Sequence, residues 1–239
     1  IENNQLINPS IYAVSKVGTK PELKPLKDDD LWWVSLPKEW KDYFVNKLKM
    51  PEFPDKYDFG KLDYLNKIDL TKEIFTDITP LAKVTGLKML LLKNTQISDI
   101  SPLKNLKQLV ELDISNTKVT DLSALSELTD LRILKINKLG LKDLKGIENL
   151  TMLLELECTE NEIENIEPLA NFTNLEKLDM SLNLEIKTIE PLRGLQSLTD
   201  LTFMKMKVKD LAPIAECKNL VKLNCFNNQL ESIAPIRSC

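Results

Sequence analysis

A pattern of apolar residues with a period of 22 residues runs through most of this sequence and constrains the fold more than any other feature. In the copy that starts at Leu109, apolar residues alternate at Leu112 and Ile114, as in a strand with one buried face. They then recur every third residue from Val119 to Leu128, as in a tight helical return. One such copy cannot bury its own leucines, so we expect the copies to stack on one another.

The pattern occurs eight times. The first leucine of each copy marks its start: Leu65, Leu87, Leu109, Leu131, Leu153, Leu175, Leu198 and Leu220. One step is a residue longer than the others, and we expect the additional residue to form a small bulge within Met180–Ile186. Pro102, Pro168 and Pro191 precede late apolar residues and predict the first turn of each return helix, because proline there needs no donor.

These residues resemble the 22-residue class of leucine-rich repeat, which occurs in the regulatory subunit of protein phosphatase 1 and in bacterial internalins. The resemblance covers residues 65–239, and residues 94–103 look bacterial. It implies an α/β fold, a right-handed leucine-rich repeat solenoid (horseshoe) whose concave parallel sheet binds a partner protein. The asparagine of the family motif is present in three copies, as Asn161, Asn183 and Asn228. Other residues hold its position in the remaining copies: Thr95, Thr117, Glu73, Leu139 and Met206.

The sequence before the repeats predicts two further segments. Residues 1–30 contain several breaks and predict an extended arm or linker, with one strand at Ile11–Val17. Residues 31–64 predict a helical N-terminal cap over the first repeat, because Pro37 opens an amphipathic helix that extends to Leu48. The tryptophans of this segment could alternatively form a ligand-binding box, although their spacing is more typical of a core: Trp32, Trp33 and Trp40.

The four cysteines occupy apolar positions of the repeat and are predicted to be core residues. Cys158 and Cys225 lie three units apart, about 14 Å at the strand spacing, which is too far for a disulfide. Cys217 and Cys239 hold equivalent positions in adjacent units, so a disulfide between them remains open. Reduced thiols permit a cytosolic protein without requiring one.

Several functions are disfavoured by composition. The sequence has no histidine, which excludes histidine-based catalytic triads and zinc sites, and its six glycines form no phosphate-binding motif. The net charge of −4 argues against nucleic acid as a partner, and no apolar run approaches membrane-spanning length. We therefore predict a protein that is not an enzyme, needs no cofactor or metal and does not insert into a membrane.

Charged residues of the fourth and fifth units fall opposite one another when the sequence is shifted by one period. Glu155 and Glu157 lie on one face of a strand, at a separation that a hydrolase or a calcium ion could use. The shift instead favours a ladder of ion pairs: Lys135 with Glu157, Lys138 with Glu160, Lys142 with Glu164, Lys145 with Glu167, and Glu155 with Lys177. The alternative is calcium or carbohydrate binding through carboxylates: Asp113, Glu155, Glu157 and Asp179.

Apolar residues at outward positions of the strands have no evident structural purpose and predict a surface that binds a partner protein. The candidates form one group near the start of the repeats and one near the end: Met89, Leu91, Glu111, Asp113 and Ile133, and then Leu182, Met204 and Phe226. The prediction is a non-enzymatic protein-binding module, acting as a monomer or weak dimer. A targeting arm of a larger multidomain protein is the other possibility.

Overall fold

The computed structural model describes residues 27–71 and 73–237. The chain divides between Leu62 and Asp63 into two units, which are described separately. The predicted strand at Ile11–Val17 and the proposed disulfide partner Cys239 lie outside the described residues. Within the described residues, no helix is both long and apolar enough to cross a membrane.

The first unit contains three α-helices: α1 Asp28–Ser35, α2 Lys38–Asn46 and α3 Lys56–Gly60. A 3₁₀ helix at Lys61–Tyr64 includes the point in the chain at which the units divide. Helix α1 begins at Asp28, before the expected boundary at residue 31. Its acidic first turn suits the positive end of the helix dipole, and the Asp30 carboxylate accepts a hydrogen bond from the backbone N–H of Lys27 at 3.1 Å. Helix α2 follows Pro37 directly, as the sequence predicts.

The aromatic side chains of this unit pack against one another. The Trp32 ring meets Phe44 edge-on at a centroid distance of 5.5 Å, and Trp40 lies 5.6 Å from the same ring. The indole N–H of Trp33 donates to the backbone carbonyl of Glu52 at 3.1 Å, which satisfies its polar atom. These contacts favour a core role for the tryptophans over a ligand-binding box. That the unit caps the first repeat stays a prediction.

The second unit is an open parallel sheet of eight three-residue strands in sequence order, which confirms the leucine-rich repeat solenoid. The strands are β1 Lys67–Asp69, β2 Met89–Leu91, β3 Glu111–Asp113, β4 Ile133–Lys135, β5 Glu155–Glu157, β6 Lys177–Asp179, β7 Asp200–Thr202 and β8 Lys222–Asn224. The middle residue of each strand from β1 to β7 is buried in the core. The first and third residues form the outer face of the sheet, which corresponds to the predicted concave face.

A short 3₁₀ helix follows every strand except β4, after which the fully described residues 136–154 form turns only. These helices are Thr79–Lys83, Ser101–Asn105, Ser123–Leu125, Glu167–Asn171, Glu190–Leu192, Ala212–Ile214 and Ala234–Ile236. Proline is the second residue of every one of these except Ser123–Leu125, as its fixed φ favours. A side chain two residues upstream also accepts a backbone hydrogen bond, as Asp99 does from Ser101 at 2.7 Å. This local turn explains why each return begins where it does.

The additional residue of the sixth unit lies in the turn after the strand. Strands β6 and β7 pair residue for residue, with Lys177 opposite Asp200, so the register of the sheet is unaffected. The turn is longer between Asn183 and Ile186, and it exposes Leu184 to 56%. The predicted bulge is therefore a longer turn and leaves the strand regular.

The motif asparagines satisfy backbone groups inside these turns. The Asn183 side-chain amide donates to the carbonyls of Cys158 and Met180 at 3.0 and 2.8 Å, and thus links two successive units. Where threonine replaces asparagine, the hydroxyl bonds only within its own unit. The Thr117 hydroxyl donates to the carbonyl of Ile114 at 2.8 Å and accepts from the N–H of Val119 at 3.4 Å. Asparagine therefore contributes to stacking in a way that threonine does not.

The cysteines largely match the expected core positions. Cys158 and Cys217 are buried, whereas Cys225 in the last unit is half-buried. Burial raises the pKa of the Cys158 and Cys225 thiols, so both resist conversion to the reactive thiolate at neutral pH.

Candidate protein-interaction surface

A network of charged side chains occupies the middle of the outer face. The ammonium of Lys135 on β4 lies 2.5 Å from a Glu157 carboxylate oxygen and 3.1 Å from one of Glu155, both on β5. Lys177 on β6 approaches the other Glu155 oxygen at 3.8 Å. The predicted pairs Lys135 with Glu157 and Glu155 with Lys177 are confirmed, and each follows from strand pairing in register.

Polar side chains extend this network toward β3. The amide of Asn137 donates to the second Glu157 oxygen at 2.9 Å and to the Ser115 hydroxyl at 3.3 Å. Its carbonyl oxygen accepts from the backbone N–H of Thr159 at 2.7 Å. Sequence reasoning missed Asn137, although the one-period shift that paired the charges also places it between Ser115 and Thr159.

The network shifts the pKa values of its charged groups. Burial alone would raise the pKa of Glu157, but the hydrogen bonds from Lys135 and Asn137 and the nearby positive charges lower it below its ordinary value. Burial alone would lower the pKa of Lys135, and its bonds to the two glutamates raise it instead. Both groups are therefore held in their charged forms.

The lowered pKa of Glu157 predicts a loss of stability in acid. A carboxyl group with a depressed folded-state pKa stabilises the fold above its unfolded-state pKa, and that contribution disappears as pH falls through the folded-state value. We expect Glu157→Gln to destabilise the protein by about 1 kcal/mol at pH 7, which is the scale of a partly exposed ion pair. Below the ordinary value of 4.5 the difference should shrink progressively toward zero.

Urea unfolding at pH 7, 5 and 3 measures this difference. Glu162→Gln is the matched control, because Glu162 is exposed and forms no ion pair among the described residues. A Glu157→Gln difference that is the same at pH 3 and pH 7 would contradict the assigned role of the charge.

The remainder of the predicted charge ladder is only partly correct. Lys138 and Glu160 form an ion pair at 3.0 Å. Within residues 142–167, all of which are described, the predicted pairs of Lys142 with Glu164 and Lys145 with Glu167 do not form, and those two predictions are wrong. The four side chains are exposed on the return segments, where water solvates each charge as well as a partner would.

The carboxylates proposed as alternative calcium ligands serve other purposes. Asp113 and Asp179 each accept the backbone N–H of the residue two positions later, Ser115 at 2.9 Å and Ser181 at 3.0 Å, and so shape the turn after their strands. Glu155 and Glu157 are engaged by lysines. In residues 27–71 and 73–237, no group of three or more acidic or cysteine side chains is arranged to hold a metal ion.

The first group of predicted binding residues lies together on β2, β3 and β4. Met89 pairs with Glu111, and Glu111 pairs with Ile133, so the two apolar side chains flank one carboxylate across three strands. Leu91 lies beside them on β2. These side chains are half-buried, whereas Asp113, exposed to only 9%, is largely removed from the surface by its turn.

The second group of predicted binding residues does not occupy one equivalent position in the structure. Met204 and Phe226 hold equivalent positions just after β7 and β8, and Phe226 is 66% exposed. Leu182 lies one position further along its unit, in the turn after β6, with a φ of 64°. Sequence reasoning did not identify Leu184 as exposed. The longer step of the repeat could have indicated it, because the additional residue lengthens the turn that contains Leu184.

Comparisons with known proteins agree with this architecture. The family described as leucine-rich repeats in two copies matches residues 85–127. Internalin C2 from Listeria monocytogenes is 28% identical, with a TM-score of 0.79 over 84% of this chain and 88% of that chain. An internalin (InlF) from the same organism is 27% identical, with a TM-score of 0.63 over 84% of this chain and 72% of that chain.

The chain thus has the leucine-rich repeat fold and resembles bacterial internalins. A leucine-rich repeat protein from Leptospira interrogans shares the fold at 23% identity, with a TM-score of 0.69 over 76% of this chain and 49% of that chain. No match to a curated protein was found. Proteins with this repeat generally bind other proteins and are typically not enzymes.

Proposed function

We propose that this chain is a non-enzymatic module that binds another protein on the outer face of its sheet. The observation that carries the proposal is the cluster of Met89, Leu91 and Ile133, three apolar side chains that remain partly exposed on strands. The core does not require these three side chains, because the middle residues of the same strands are the ones buried in it. Apolar side chains framed by charge are typical of the centre of a protein interface.

The surroundings of this cluster suit an interface. Glu111 lies between the apolar side chains, and Lys135 follows Ile133 by two residues on β4. Strands β2, β3 and β4 are each fixed by pairing on both sides, so little conformational entropy remains to be lost when a partner binds. The charged network from β4 to β6 would then supply the polar rim.

Met204 and Phe226 extend the proposed surface toward the end of the repeats. Strands β4 and β7 are three spacings apart, which corresponds to about 14 Å. A partner that covers both apolar groups must therefore lie across the strands and pass over the charged network.

The test compares the native chain with Leu91→Glu/Met204→Glu, which places a carboxylate in each apolar group. The matched control is Met152→Glu/Ile233→Glu, because Met152 and Ile233 are also exposed apolar residues but lie outside the strands. Each immobilised protein is used to retain proteins from native cell extract. Thermal unfolding verifies that both variants fold.

We expect a partner to be retained by the native chain and by the control, and to be lost from Leu91→Glu/Met204→Glu. Burying a charge without a counter-ion in an interface should cost several kcal/mol. Identical retention by all three proteins would contradict binding through the outer face.

A further inference from the structure

The turn of the sixth unit differs from the turns of the other units at one defined backbone position. Each of the seven turns that follow β2 to β8 has one non-glycine residue with positive φ, between 54° and 65°: Asn94, Asn116, Lys138, Glu160, Leu182, Lys205 and Asn227. Leu182 alone among these is apolar. Leucine is disfavoured in the left-handed region, whereas asparagine tolerates it because its side chain is short and polar.

Two further features coincide with Leu182. The same turn contains the additional residue of the repeat, and it exposes Leu184 to solvent. The neighbouring turns close without an apolar residue at either position, so the fold itself does not require them. An unfavourable residue retained at a strained position is a reason to look for a function there.

Backbone contacts place this turn beside the exposed residues of the next two units. The N–H of Leu182 donates to the carbonyl of Met204 at 2.9 Å, and the N–H of Lys205 donates to the carbonyl of Phe226 at 2.9 Å. We define the edge patch as the apolar residues of these three successive turns: Leu182, Leu184, Met204 and Phe226. It lies along the margin where the strands end and is separate from the cluster on β2 and β4.

The charges around the edge patch are not balanced. Lys207 holds both oxygens of Glu185 at 2.7 and 2.8 Å, so those two residues neutralise each other. Lys205 and Lys187 are exposed and form no ion pair with the described residues. Glu162 lies in the preceding unit, at the position equivalent to Leu184. The patch thus has positive charge toward its C-terminal side and negative charge at its N-terminal flank.

We propose that the edge patch binds a protein segment in which apolar side chains stand next to carboxylates, with the carboxylates against Lys205 and Lys187. The apolar side chains would cover Leu182, Leu184 and Met204. Complementary charge fixes the orientation of the segment, since the reverse orientation would bring its carboxylates toward Glu162. This inference rests on the proposed function, because it specifies the chemistry of a partner for part of the same surface.

A displayed library of random twelve-residue peptides, selected on the immobilised full chain, tests the inference. Enriched peptides are then synthesised, and their affinities are measured for the native chain and for four variants. Leu182→Asn and Lys205→Glu introduce residues that other units carry at the same position, so the fold is expected to tolerate both. Met152→Glu is the control, because Met152 is exposed and lies outside both the patch and the strands. A fourth variant, Leu91→Glu, reports whether a peptide binds at the cluster on β2 and β4 instead.

We expect enriched peptides to combine aromatic or aliphatic residues with at least two carboxylates. Leu182→Asn and Lys205→Glu should each weaken their binding about tenfold, which corresponds to about 1.4 kcal/mol, whereas Met152→Glu should leave it unchanged. Leu182→Asn should also raise the midpoint of urea unfolding, because it removes the backbone strain.

Three results would overturn the inference: no enrichment, enriched peptides that lack carboxylates, or binding that survives both patch variants. If the enriched peptides are instead lost with Leu91→Glu alone, the edge patch is excluded while the proposed function of the outer face stands.

Discussion

Replacing Asn161 with alanine is expected to lower the free energy of unfolding by about 3 kcal/mol. Its buried side-chain amide donates to the carbonyls of Ile136 and Cys158 at 2.9 and 3.0 Å. Its oxygen accepts from the N–H groups of Leu139 and Leu141 at 2.9 and 3.2 Å. Alanine would remove the bonds to the carbonyl of Ile136 and to the N–H groups of Leu139 and Leu141, whereas the Cys158 carbonyl keeps its bond from Asn183. Each buried group left without a partner costs about 1–3 kcal/mol before the structure relaxes.

The effect should extend beyond one unit, because these bonds join the fourth and fifth units. Solenoids depend on the interfaces between neighbouring units, so weakening one interface reduces the cooperativity of unfolding. Urea unfolding followed by circular dichroism measures both the free energy and the slope of the transition. Asn105→Ala, at an exposed asparagine, is the control and should change stability by less than about 0.5 kcal/mol. If Asn161→Ala lowers the free energy of unfolding by less than about 1 kcal/mol, the expectation is contradicted, and water must replace the hydrogen bonds of the amide.

The sheet and its register could be predicted because both follow from the fixed 22-residue period of the sequence. Shifting the sequence by 22 residues places Met89 beside Glu111 and Lys135 beside Glu157, and the structure pairs them in this way. Burial of the alternating leucines then determines which face of each strand points outward, since a slip of one residue would expose the whole core row.

The turns could not be predicted to the same accuracy. The apolar pattern alone allows the additional residue between Leu175 and Leu198 to stand before or after Leu182. The motif position of Asn183 and the backbone geometry together show that it follows Asn183. Leu182 was therefore grouped with Met204, although the two occupy successive positions of the turn. Asp113 was taken for a surface residue for a related reason, because its hydrogen bond to the Ser115 N–H depends on the turn conformation.

Methionines allow the proposed surface to be mapped without mutation. The sequence contains six methionines. Met89 and Met204 are partly exposed on the proposed surface, and Met152 is 38% exposed outside the strands. The other three are buried and report only on unfolding: Met50, Met180 and Met206. A partner that excludes water from the outer face should slow oxidation of the first two without affecting Met152.

The most direct measurement is therefore hydroxyl-radical oxidation of each methionine, read by mass spectrometry, with and without the protein retained from cell extract. We expect the rates at Met89 and Met204 to fall about tenfold in the complex, because side chains at the centre of an interface are enclosed, and the rate at Met152 to be unchanged. Unchanged oxidation of Met89, with protection of Met152 in its place, would contradict binding through the outer face of the sheet.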